Sequence, residues 1–225
     1  MVMDLYDWNG IHQKSSIAIE EALKSYMAGT RDKAGYSQNK MIKQYGLDSK
    51  WSGGVCLALS SHWIRFHHQH KGSTATRVGV DGILRSKGAL VAAANIQGVY
   101  RRQGKTTEIS KAVSMNGLTV MAPNAPVRYL ATDSFQELID KVNRTHKYYI
   151  LALSIPFGGS GHAICCYKSG GKFGYYSHLY VFDPNLAEFK VPASEIYLFF
   201  AVLHAYYQKN HGRNWWSITP LEVRP

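Results

Sequence analysis

The sequence predicts an α+β protein, with a helical N-terminal part packed on a C-terminal antiparallel sheet. Apolar residues recur at helical spacing up to about residue 145, and runs rich in strand-forming residues begin at 148. Glycine-containing turns separate the first three of these runs, which favours consecutive antiparallel strands. Helices followed by strands, without regular alternation, are typical of the α+β class.

The helices are predicted from apolar periodicity and from their end signals. In the segment 55–70, Leu59, Trp63 and Phe66 fall on one face. The other predicted helices before the sheet are 15–28, 86–102, 106–117 and 134–145. A last helix is predicted over 193–210, after the strands.

Four strands are predicted, and they follow one another closely. Their ranges are 148–156, 162–169, 178–184 and 188–192. Short connections join antiparallel neighbours, so we expect a meander in which each strand pairs with the next.

Composition limits the kind of protein without selecting a function. The 225 residues include 26 Lys and Arg against 15 Asp and Glu, which gives a net charge of +11. This charge favours an anionic partner such as nucleic acid, a membrane surface or an acidic protein. Three cysteines, two of them adjacent, suggest no disulfide framework. No transmembrane helix or Sec signal is expected.

Cys56 follows two glycines and begins the helix predicted over 55–70. The free N–H groups and the dipole of a helix N-terminus stabilise a thiolate there. The two glycines would let a substrate backbone approach closely. Taken alone, the same cysteine is more readily explained as a small buried core residue.

His162 and Asp183 complete a possible catalytic set. His162 begins one predicted strand and Asp183 ends an apolar run in the next. A thiol nucleophile needs a base, and the base needs an acceptor that orients its other ring nitrogen. Alone, each has a plainer explanation, a histidine and an aspartate in turns. A single hairpin between them would bring both to one edge of the sheet.

The strings GVCLALSSHWI, GHAICCY and FDPNLAEF resemble the YopT/AvrPphB family of papain-like cysteine proteases, which are bacterial effectors. The resemblance implies a papain-like fold in which Cys56 is the nucleophile, His162 the general base and Asp183 the orienting residue. We expect an N-terminal helical extension over 1–48 and a papain-like catalytic domain over 49–225, together forming one compact unit. Ala187 departs from the family, where glycine often precedes the glutamate.

The oxyanion hole is less well defined by the sequence. Papain-like enzymes usually place an amide side chain a few residues before the cysteine, but LDSKWSGGVC contains neither Asn nor Gln. The backbone N–H of Cys56 is expected to be one donor, and Trp51 or Ser52 is a candidate for the second. Neither a metal site nor a cofactor is expected.

The resemblance implies secretion by a bacterium without a Sec signal and action in the host cytoplasm or at the inner membrane face. Host GTPases or kinases are the implied substrates, and the positive charge would suit an anionic membrane surface. The same three residues could also support an acyltransferase, deamidase or transglutaminase. A basic nucleic-acid-binding module is a further alternative, but it leaves the three segments unexplained, and nucleic acid is not the expected partner.

Overall fold

The computed structural model describes ten segments of the chain. They are residues 14–28, 37–47, 55–70, 83–102, 108–121, 129–130, 135–154, 161–171, 176–211 and 217–225. Within them no helix has both the length and the apolar character needed to cross a membrane.

Seven α-helices lie in the described segments. They are α1 (Ser16–Tyr26), α2 (Gln38–Gln44), α3 (Cys56–Gln69), α4 (Lys87–Arg102), α5 (Glu108–Met115), α6 (Phe135–Val142) and α7 (Ile196–His211). Ser15 caps α1 by accepting a hydrogen bond from the Ala18 N–H, as the polar start of that segment leads one to expect. Short 3₁₀ turns precede α4 and α7.

In the described segments, seven strands form one sheet in which every pairing is antiparallel. They are β1 (Thr119–Val120), β2 (Tyr129–Leu130), β3 (Tyr148–Ser154), β4 (His162–Lys168), β5 (His178–Asp183), β6 (Ala187–Pro192) and β7 (Ser217–Arg224). Their order is β1-β7-β3-β4-β5-β6, with β2 also paired to β7. The α+β class and the predicted meander of β3 to β6 are therefore confirmed.

Strand β7 is not predicted by the sequence analysis. It pairs with β3 along its length, with Pro220 opposite Leu151. Proline lacks a backbone donor and argues against a central strand. In the described part of the chain, the other side of β7 is paired only near its two ends, to β2 at residue 218 and to β1 at residue 223. The proline lies between these two pairings.

The sheet separates two apolar clusters, because successive side chains of a strand point to opposite faces. Helices α1, α6 and α7 cover one face, where Leu151 and Ile164 are buried. Helices α2 to α5 cover the other, where Ile150 and Cys165 are buried. Helix α3 therefore lies against the strands that carry the other predicted site residues.

The outer edge of β6 is covered by the chain that leaves α1. Met27 forms an antiparallel bridge with Phe189. The Ala28 N–H donates to the Glu188 carbonyl at 2.9 Å. Backbone groups of this edge strand are thus paired within the molecule.

Candidate active site

Cys56 is the first residue of α3. The cap residue, Val55, has no capping side chain of its own, so residues from other helices bind the N–H groups at this helix end. The Gln38 carboxamide oxygen accepts from the Val55 N–H at 2.6 Å, and the Gln97 oxygen accepts from the Ala58 N–H at 3.3 Å. Cys56 is buried, with 8% of the residue exposed, and belongs to the apolar cluster on this face of the sheet.

His162 and Asp183 meet as the sequence predicts. The His162 Nε2 donates to the Asp183 Oδ1 at 2.9 Å, and the two side chains are 4% and 0% exposed. The register of β4 and β5, in which Cys165 lies opposite Phe182, brings the start of one strand to the end of the other. On the other side, the imidazole is in hydrogen-bonding contact with Cys56. The three predicted residues therefore form a continuous series.

Asp183 has two further donors that the sequence analysis did not identify. The Asn185 backbone N–H donates to Oδ1 at 2.8 Å, and the Tyr207 hydroxyl donates to Oδ2 at 2.8 Å. Each carboxylate oxygen is thus bonded although the side chain is fully buried, which offsets the cost of taking a charge out of water. An Asp-Pro-Asn turn is a visible signal for the first donor, whereas Tyr207 lies in an apolar helix that gives none.

The electrostatics of the site favour a thiolate beside an imidazolium. Burial by itself lowers the pKa of His162, but the Asp183 carboxylate and the Cys56 sulfur outweigh it and raise the pKa to about 10. Burial by itself raises the pKa of the Cys56 thiol, but contact with His162 reverses this and lowers it. The N–H groups of Ala163 and Leu57 contribute to that lowering. A lowered thiol pKa beside a histidine is the arrangement that nucleophilic catalysis by cysteine requires.

Most of the chain matches one known protein family. The profile of Peptidase_C58, described as Yersinia/Haemophilus virulence surface antigen, matches residues 22–219 of the 225. The chain belongs to the Peptidase_C58 family. It is a cysteine peptidase of a virulence-effector family, and the predicted relationship is confirmed.

A solved structure supports the fold. The crystal structure of the Pseudomonas avirulence protein AvrPphB is similar with a TM-score of 0.62, at 16% sequence identity, over 90% of this chain and 100% of that one. This likeness confirms the papain-like fold. Among curated proteins, none matches the sequence.

The Peptidase_C58 match bears on the N-terminal segment. It begins at residue 22, inside the predicted extension 1–48, and α2 of that extension contributes Gln38 to the site. The boundary between 48 and 49 remains a prediction, because residues 48–54 lie outside the described part of the chain.

The predicted oxyanion donors are resolved only in part. Trp51 and Ser52 lie outside the described residues. The Cys56 backbone belongs to the first turn of α3, where helix N–H groups have no intrahelical acceptor. A papain-like site needs a second donor, and the described residues offer carboxamides at Gln38, Gln97 and Asn185.

The other two cysteines differ from Cys56 in their place in the fold and in the direction in which their thiol pKa values are shifted. Cys165 faces α3 and Cys166 faces the opposite core, and both are fully buried. Burial raises the pKa of both thiols. Their surroundings suit packing, and of the three cysteines of this Peptidase_C58 chain only Cys56 has a thiol pKa shifted downward.

Proposed function

We propose that this peptidase cleaves a protein substrate by thiolate attack on a peptide carbonyl, with Cys56 as nucleophile, His162 as general acid and base, and Asp183 as the residue that orients the ring. The observation that carries the proposal is the buried series from Asp183 through His162 to Cys56 at the start of α3. Membership of a peptidase family supports the same reaction class.

The order of proton transfers follows from the partner that each ring nitrogen of His162 contacts. Nε2 of His162 is held by Asp183, so Nδ1 is the nitrogen that faces the sulfur. The thiolate adds to the carbonyl carbon, and the imidazolium then gives its Nδ1 proton to the leaving amine. Water, deprotonated by the neutral ring, releases the acyl group. Asp183 accepts the hydrogen bond from Nε2 and so holds the ring in this orientation throughout.

We propose only a class of substrate and a cellular place of action for this peptidase. Relatives in a virulence family support an effector that a bacterium secretes and that acts inside a host cell. A host GTPase or kinase, and an anionic inner membrane face, remain the proposed targets and place of action. The net charge of +11 supports the membrane surface only as a general electrostatic attraction.

The test compares wild type with Cys56→Ala on a pool of host-cell proteins, with mass spectrometry of new N-termini. We expect cleavage by wild type and none by the variant, while both melt at similar temperatures. A pool that is modified at glutamine or lysine but left uncut by wild type points instead to the acyltransferase, deamidase or transglutaminase chemistry. Cleavage that persists in Cys56→Ala contradicts the proposal.

A further inference from the structure

Two carboxamide side chains, those of Gln38 and Asn185, lie beside the three candidate catalytic residues. Gln38 is almost fully buried, and besides the Val55 N–H it contacts the loop after β5 twice. Its backbone N–H donates to the Pro184 carbonyl at 2.8 Å, and its Nε2 donates to the Asn185 Oδ1 at 2.7 Å. One residue of α2 therefore joins the nucleophile helix to the loop that carries Asp183.

The direction of each amide is fixed by a backbone group. A backbone N–H can only donate, so the atom of Gln38 that faces Val55 is the oxygen. Its nitrogen must then face Asn185, and the atom of Asn185 that meets it must be an oxygen. The Asn185 nitrogen is left to face His162 Nδ1 at 3.5 Å.

The two hydrogens of that nitrogen have different surroundings. One hydrogen is in hydrogen-bonding contact with the hydroxyl oxygen of Tyr207. Burial and Asp183 raise the pKa of Tyr207, and this contact opposes the rise, as expected for an amide that donates to the hydroxyl oxygen. The other neighbour, His162 Nδ1, carries a proton in the ion pair and then cannot accept. This N–H then has no acceptor in His162, and Asn185 is only half-buried, so part of the residue is open to solvent beside the site.

We propose that Asn185, oriented by Gln38, donates this N–H to the oxygen of the attacked carbonyl and is the second oxyanion donor beside the Cys56 backbone. The proposal rests on the proposed peptidase function. When the thiolate adds to the carbonyl carbon, the π electrons of the C=O bond move to the oxygen, and the donors bind that charge. When the intermediate collapses, the C=O bond re-forms, the C–N bond breaks and the amine takes the Nδ1 proton. Gln38 is a positioning residue in this scheme.

The test separates binding of the oxyanion from activation of the sulfur. A fluorogenic peptide is built on a cleavage site found with wild type, and its kcat and KM are measured. Alkylation of Cys56 by iodoacetamide is followed against pH, because that reaction needs the thiolate but forms no oxyanion. Asn185→Asp keeps the acceptor for Gln38 and loses the donor, and Asn185→Ala loses both. Asn210→Ala, which removes an amide donor to Glu20 far along the sequence, is the matched control.

We expect both Asn185 variants to lower kcat by about 10²–10³ with little change in KM. The alkylation midpoint of Asn185→Ala should stay at the wild-type pH, and Asn210→Ala should match wild type in both assays. Gln38→Glu should also lower kcat, because a carboxylate accepts from Val55 but cannot donate to Asn185. Combining Gln38→Glu with Asn185→Ala should cost no more than Asn185→Ala alone, because Gln38→Glu keeps the acceptor for Val55.

A kcat for Asn185→Ala within about threefold of wild type overturns the inference, since an oxyanion donor accounts for far more. A parallel loss of alkylation also overturns it, because the amide then supports the ring or the sulfur. These results leave the peptidase proposal standing as long as Cys56→Ala is inactive. If Cys56→Ala cleaves the peptide, the proposed function itself fails.

Discussion

Replacing Tyr207 with phenylalanine tests whether the carboxylate of the site depends on its buried donors. The change removes one hydroxyl and leaves the ring, so packing against the core is preserved. Asp183 Oδ2 then loses its 2.8 Å hydrogen bond in a place without water access, where the carboxylate is 0% exposed.

The expected cost follows from the kind of bond that is lost. A hydrogen bond to a charged group contributes about 1.5–3 kcal/mol, and a buried acceptor left without it keeps the desolvation penalty. For a chain of this size, 1 kcal/mol changes the melting temperature by about 2–4 °C. Tyr207→Phe should therefore lower the melting temperature by about 3–12 °C. It should also lower kcat, since Asp183 is held less firmly against His162.

Tyr26→Phe is a matched control. The Tyr26 hydroxyl donates to the Glu195 carboxylate, also at 2.8 Å, but this pair is only partly buried and lies outside the site. Differential scanning calorimetry and peptide cleavage should show a smaller loss of stability for Tyr26→Phe and no loss of activity. If Tyr207→Phe melts no lower than Tyr26→Phe and keeps full activity, Tyr207 does not support the carboxylate.

Two further predictions follow from the start of α3. Cys56 should react with iodoacetamide below the pH at which an ordinary thiol does. His162→Ala should move that midpoint upward, because burial, which raises the thiol pKa, is then opposed only by the N–H groups of Ala163 and Leu57. Mass spectrometry at a series of pH values measures both, and an unmoved midpoint contradicts the ion pair. Gln97→Ala should lower the free energy of unfolding by about 1 kcal/mol, as for the loss of a helix cap, because the Ala58 N–H loses its acceptor. Urea titration detects this change, with Gln136→Ala on the exposed surface of α6 as the control, and equal stability of the two variants would refute it.

The sequence predicts most of the elements because their signals are local. The apolar face of Leu59, Trp63 and Phe66 locates α3, and glycine turns separate the strands that carry His162 and Asp183. The hairpin register then follows from short connections, which is why the two residues were expected at one edge.

The remaining parts of the site depend on contacts between segments far apart in the chain. Gln38 precedes Cys56 by 18 residues and lies in a short polar helix, so no spacing rule connects it to the nucleophile. Tyr207 is one of many apolar and aromatic residues in α7. The packing of α7 on the sheet determines which of these residues contacts Asp183. No local pattern in the sequence predicts that packing.

The pairing of Met27 and Ala28 with β6 limits how this chain can bind an extended peptide. Many binding proteins hold an extended peptide by letting it become one more strand at the rim of a sheet. At Phe189 that place is already taken by the molecule's own backbone. Neither a peptide substrate nor a second copy of the chain can therefore add a strand to β6 at this position without displacing Met27 and Ala28.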